Sequence, residues 1–169
     1  MQGQSTRIAP TRRMFFAVSA AAAASLLSAC TTSNVLNTDD GNSADMTADA
    51  LPLVNDLRAK NGLPPLTIDR NAQSAALDQA RRMARAGEMQ HNIGFGADFA
   101  KRMKGQDVQL PAAENIAAGQ RSTQDAVTAW INSPKHLKNM LGSYKGLGVA
   151  VARNSASGNR PYWSMVLSG

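Results

Sequence analysis

The chain has 169 residues, 43% of them apolar and 18% charged, which excludes wholesale disorder and leaves room for one domain with appendages. Its single cysteine excludes an internal disulfide and a cysteine-rich zinc knuckle, and its two histidines exclude a three-histidine catalytic zinc site. The formal charge of +6 does not mark a nucleic-acid binder. Arg7, Arg12 and Arg13 precede position 30 with no acid among them, and the remainder carries fifteen basic against twelve acidic residues, an ordinary surface balance.

Residues 1–29 read as a bacterial export signal. Thr11-Arg12-Arg13 leads into an uncharged run, Met14–Ala29, whose sixteen residues include three serines. That is short for a spanning helix, which needs about 20 apolar residues, and fits a cleavable apolar segment. Arg12-Arg13 with Met14-Phe15-Phe16 resembles a twin-arginine motif, with general secretory export as the alternative. Leu27-Ser28-Ala29-Cys30 resembles a lipobox, in which the Cys30 thiol receives the lipid and small side chains admit the signal peptidase. The alternative is a plain secretory signal that leaves Cys30 a free thiol. Thr31 follows where an aspartate would resemble an inner-membrane retention signal, so the outer membrane is the expected address in a two-membrane cell. Residues 30–47, rich in Thr, Ser, Asn, Asp and Gly, read as a lipidated flexible tether with a reach of ~20–25 Å.

Residues 48–169 read as one folded domain. A first helix is expected over Ala48–Lys60, with Leu53, Val54 and Leu57 inward and Asn61-Gly62 as its stop. Leu63-Pro64-Pro65-Leu66 is extended. Asp69 is an N-cap for a second helix that buries Ala72, Ala75, Ala76, Ala80, Met83 and Ala84, places Glu88 in its last turn and has Gly87 at its end. Arg81, Arg82 and Arg85 fall on its solvated side. Phe95, Phe99 and Met103 recur at helical spacing. Ser122-Thr123-Gln124-Asp125 matches a capping box and opens a helix with Val127, Trp130 and Ile131 inward. Ser133-Pro134 restarts the chain as N-cap and first helical residue. Gly146–Arg153 and Tyr162–Leu167, joined by a turn-rich segment, read as an antiparallel hairpin. Helices first and paired strands last give an α+β fold.

His91, His136, Glu88 and Glu114 are the whole supply of histidine and glutamate. With Ser133 as N-cap, His136 occupies the third helical position, where the positive helix end disfavours imidazolium. Neutral imidazole is the form that ligates metal or accepts a proton. An imidazole there that only caps or packs is the plainer reading. Asn115 reads as a loop-fixing hydrogen-bonder, Trp130 as core, and Lys135, Lys138 and Lys145 as a solvated face.

Taken in order, Val54-Asn55-Asp56-Leu57-Arg58, Gly62-Leu63-Pro64-Pro65-Leu66, the alanine-rich helix leading to His91, Ala113-Glu114-Asn115-Ile116, Ala126-Val127 through Trp130, Ser133–Leu141, Gly146-Leu147-Gly148-Val149 and Tyr162-Trp163 resemble the CAP superfamily. These are the SCP-like domains of cysteine-rich secretory, antigen-5 and pathogenesis-related proteins, and the short bacterial branch fits best. The resemblance covers Leu51–Gly169. It implies a three-layer α-β-α sandwich around an antiparallel sheet, with a cleft lined by two histidines and two acids. His91 matches the first histidine, Glu114 the first glutamate and His136 the second histidine. Some members bind a divalent metal such as zinc through the two histidines. The second glutamate has no match, because Ser133 stands in its place.

Three uses of such a cleft remain open. His91 and His136, with Glu114 as third ligand or as support, would bind zinc or another divalent cation together with a small lipid or envelope ligand. The same three residues would serve a peptidase or cell-wall hydrolase as general acid and base. A buried network that only fixes loops would leave a structural or partner-binding envelope module. The oligomeric state is not legible.

Overall fold

The computed structural model describes residues 42–95 and 97–169. The expected signal, Cys30 and most of the tether therefore lie outside the described residues. The elements are β1 (Ser43–Asp45), α1 (Thr47–Lys60), β2 (Thr67–Ile68), α2 (Arg70–Ala86), α3 (Phe99–Gly105), β3 (Ala113–Ala118), α4 (Thr123–Ile131), α5 (Pro134–Met140), β4 (Gly146–Ala152) and β5 (Tyr162–Ser168). Strands β1, β4, β5 and β3 lie side by side in that order, all antiparallel, and β2 adds a short parallel pairing to β4. Among the described residues no helix is long and apolar enough to cross a membrane.

Strand alternation builds the three layers. Leu147, Val149 and Val151 of β4, with Trp163, Met165 and Leu167 of β5, face Ala50 and Val54 of α1, Ala126, Val127 and Trp130 of α4 and Met140 of α5. The intervening residues Ala150, Ala152, Tyr162 and Val166 face the alanine row of α2 and Met103 of α3. The sheet is covered on both faces, so β4 and β5 are buried along their whole length. The sandwich expected from the sequence is what forms.

Helix α2 follows its sequence closely. The Asp69 carboxylate accepts from the Asn71 and Ala72 amides, and Gly87 closes the far end in the left-handed region with φ 71°. The small side chains of its inner face let the helix backbone descend onto the sheet. A β-carbon at Gly148 would collide with the Ala72 carbonyl group. On the other face, buried Arg58 ties α1 to α5, its guanidinium donating to the carbonyls of Pro64, Met140 and Gly142, and burial lowers its pKa.

Three local expectations need correction, and a fourth, Ser133 as N-cap of α5, holds in position. The folded domain begins before Ala48, because Ser43–Asp45 pairs with β4 and Met46 and Thr47 are buried. The Thr47 hydroxyl accepts from the Val149 amide and Met46 packs into the core, so this stretch is held both by the backbone of β4 and by apolar burial. Phe95 lies outside α3 and is fully exposed, since Asp98 caps the helix and only Phe99 and Met103 turn inward. Glu88 lies beyond the Gly87 cap and is exposed. Ser133 occupies the N-cap position of α5 without a side-chain cap hydrogen bond.

Replacing Gly148 by alanine forces the new methyl group into the α2 backbone and is expected to destabilise the fold by about 3 kcal/mol. Gly158→Ala, at φ 64° with open space around it, costs about 1 kcal/mol for its backbone conformation alone. Urea unfolding midpoints of the two variants test this ranking.

Candidate functional site: a histidine pair at the edge strand

Strand β3 is the edge of the sheet, and two consecutive residues in it fix the two sides of the site. Glu114 faces the α2–α3 layer and Asn115 the α4–α5 layer, as strand alternation requires. The Glu114 side chain is only 2% exposed and meets Arg102 of α3 in a two-pronged pair. Arg102 Nη1 donates to Oε2 and Nη2 to Oε1, each at 2.9 Å. Arg102 also donates to the carbonyls of Ala97 and His91, pinning the loop between α2 and α3. His91 sits in that loop and donates from Nδ1 to Glu114 Oε1 at 2.8 Å. Its ring is half exposed. Since Nδ1 is turned to the carboxylate, Nε2 is the ring nitrogen left for a ligand.

On the opposite side, Asn115 donates to the His136 carbonyl at 3.1 Å and accepts from Asn139 at 2.8 Å. Asn139 also reaches the Glu114 carbonyl at 3.4 Å. Helix α5 is thereby stitched to β3 near both ends, and Trp130 donates its indole N–H to the Ile116 carbonyl of the same strand. Asn115 and Trp130 thus take the roles expected for them. The half-buried His136 ring lines a hollow of about 430 Å³ with Met89, Ile116, Trp130, Ser133 and Arg160. The hollow's apolar floor comes from β3 and α4.

The structure brings His91 and Glu114 into direct contact and sets His136 close enough to feel His91. The pKa of His136 is lowered from the ordinary 6.5, first by burial and second by the neighbouring His91. Both causes favour the neutral ring. Glu114 does not open onto the cleft. It lies behind His91 with both oxygens held by Arg102, so it orients an imidazole and is poorly placed to be a ligand itself. Among the described residues no three of His, Cys, Asp and Glu are grouped to hold an ion. The ring nitrogen of His91 that faces away from Glu114 is Nε2, and the His136 ring lines the neighbouring hollow.

Arg102 is the residue that sequence reasoning missed. It sits in Phe-Ala-Lys-Arg-Met-Lys-Gly, a stretch whose three cations look like solvent-facing charge. The available signal was Glu114 itself, because a carboxylate between apolar strand residues needs a cation to accompany it inward.

A three-layer sandwich with a histidine pair at its sheet edge is the architecture on view. The chain belongs to the CAP family, the cysteine-rich secretory protein family, whose profile matches residues 51–167. It is 33% identical over 107 residues to the uncharacterized protein YkwD of Bacillus subtilis (strain 168), covering 62% of this chain and 41% of that protein. The chain therefore spans about two fifths of that relative's length. Two solved structures are similar in fold. One is an extracellular protein containing an SCP domain from Bacillus anthracis, at TM-score 0.63 and 24% identity over 72% of this chain and 39% of that one. The other is an outer surface protein from Borrelia burgdorferi, at TM-score 0.64 and 22% identity over 76% of this chain and 97% of that one.

Arg102→Met is expected to cost about 3–5 kcal/mol, because it strands a buried carboxylate, and adding Glu114→Gln should restore much of the loss. Chemical denaturation of the single and double variants reads this directly. Below pH 6.5 the unfolded chain takes up a proton that folded His136 resists, so this residue's contribution is fully present above pH 6.5 and is lost as pH falls through the folded value. Proton NMR should place the His136 midpoint below 6.5, moving upward in His91→Gln.

Proposed function

We propose that the protein is exported, anchored to the cell envelope by lipid on Cys30, and binds a ligand in the His91–His136 cleft. The site would take a divalent cation, zinc being suited to neutral imidazoles, held by His91 and His136 beside the apolar hollow. A small lipid or envelope molecule would occupy that hollow. The observation that carries this reading is the His91–Glu114 hydrogen bond backed by Arg102, which leaves one ring nitrogen of His91 free beside a His136 that resists protonation. A bound divalent cation would supply open coordination positions for an oxygen of the ligand; the chain's part is to orient His91 through Glu114 and to keep His136 neutral.

The export reading draws on the Leu27–Cys30 lipobox-like sequence and on the similarity to an outer surface protein and an extracellular protein. The outer membrane remains the address if the cell has one, with Thr31 after the lipid site.

A second reading, a peptidase or cell-wall hydrolase, is favoured by one feature. A buried carboxylate on Nδ1 leaves Nε2 of His91 as a proton acceptor, the arrangement of an oriented general base. Glu114→Gln, with its folding checked by circular dichroism, would then abolish turnover of peptidoglycan or peptides.

Calorimetry with zinc chloride in metal-free buffer tests the first reading. One equivalent should bind at pH 7.5, with affinity falling at least ten-fold in His91→Ala and in His136→Ala. No binding by the unaltered chain, or equal binding by both variants, would contradict it.

A further inference from the structure

A second hollow, of about 240 Å³, opens between the C-terminal half of α2 and the end of β4. It shares no lining residue with the histidine hollow. Arg81, Arg85 and Arg153 line it together with Ala84, Ala152 and Asn154. Three guanidinium groups thus surround one cavity whose lining holds no carboxylate.

Their hydrogen bonds are largely unspent. Arg81 gives Nε to the Ser43 hydroxyl at 2.8 Å, and Arg153 gives Nη1 to the Asn159 carbonyl at 2.9 Å. Neither partner is charged. Arg153 Nε is buried and meets no acceptor. Arg85 makes no hydrogen bond or ion pair among the described residues. Arg82, next to Arg81 on the same helix, shows the contrast: its Nε is matched by Asp78 at 2.6 Å. Arg81 and Arg85 are exposed side chains. With Arg153 they converge from two elements, and Ser43 of β1 and Asn159 fix two of the three in position.

We propose that this hollow is an anion site for a phosphate group, mono- or diester. A tetrahedral oxyanion offers several acceptors to donors converging from different directions, and each guanidinium carries five N–H donors in a planar fork. The unpaired Arg153 Nε shows that this guanidinium is not saturated by its own neighbours. The chain's own topology suggests where the phosphate comes from. The Arg153 amide donates to the carbonyl of Asn42, so the hollow adjoins the point where the N-terminal segment joins the domain. Asn42 is twelve residues from Cys30 in the sequence. If the lipid reading above holds, the phosphates of a membrane lie within reach. The soluble alternative needs no membrane.

The test uses the full chain carrying Cys30→Ser, so that attached lipid does not determine membrane binding. Sodium phosphate is titrated against sodium chloride at matched ionic strength by calorimetry. Sedimentation with phosphatidylglycerol vesicles is compared with phosphatidylcholine vesicles. Arg85→Glu and Arg81→Gln are the variants; Arg85 has no partner to orphan, and Arg81 loses only an exposed hydroxyl contact. We expect saturable phosphate binding, weakened at least ten-fold by either variant. A preference for phosphatidylglycerol that the same variants abolish assigns the phosphate to a lipid headgroup. Saturable phosphate binding with equal sedimentation on both vesicles assigns it to a soluble phosphate-bearing ligand. Neither phosphate binding nor vesicle preference, or binding that Arg85→Glu leaves intact, overturns the site. No readout involves His91 or His136, so failure of the cleft reading and failure of this one are separable.

Discussion

The Arg102–Glu114 pair is the contact on which the rest of the cleft depends. Both side chains are 2% exposed, so the pair is shielded from water and from salt. Moving two charges inward is costly, and the two-pronged geometry together with the extra bonds to the Ala97 and His91 carbonyls offsets that cost. The ion pair between Arg82 and Asp78, at 26% and 30% exposure, is a surface pair of the kind that contributes at most about 1 kcal/mol. Only the buried pair is strong enough to dictate conformation. It decides that Glu114 faces Arg102 and His91 rather than solvent, and hence that the carboxylate supports the cleft from behind.

The second constraint is geometric. Consecutive residues of a strand point to opposite faces, so Glu114 and Asn115 cannot both serve one layer. Because β3 is an edge strand, both layers still meet just beyond it. Glu114 holds the His91 loop from one side while Asn115 and Asn139 hold α5 from the other. The His91 ring rests on Glu114 on one side of the edge strand, and the His136 ring lines the hollow on the other. The arginine hollow lies elsewhere, at the far end of β4 beside β1, so one small domain presents two chemically different concavities.

Much of this was legible in the sequence because local rules and tertiary packing agree there. Asp69, the alanine row and Gly87 delimit α2 unaided, and alternation marks β4 and β5. His91, Glu114 and His136 were reachable through the family pattern, although composition alone could not join residues so far apart in the chain. What stayed hidden has physical causes. Ser-Ala-Asp of β1 and Ala-Glu-Asn-Ile-Ala-Ala of β3 carry few β-branched residues, and only partner strands make them strands. Phe95 kept helical spacing without a helix, because the Asp98 cap starts α3 after it. Arg102 looked like surface charge, because convergence on a buried acid is a property of the folded chain; Arg81 and Arg85 are exposed as expected, and only the fold groups them around one hollow.

The claim that Arg102 and Glu114 hold His91 with Nδ1 turned inward is open to one direct measurement. Long-range nitrogen–proton NMR at alkaline pH, where imidazole is neutral, reports which ring nitrogen carries the proton. The account predicts that His91 is protonated at Nδ1, and that this preference disappears when Glu114 is replaced by alanine. A His91 ring protonated at Nε2 in the unaltered protein would mean that the carboxylate does not hold it, and the arrangement described here would fail.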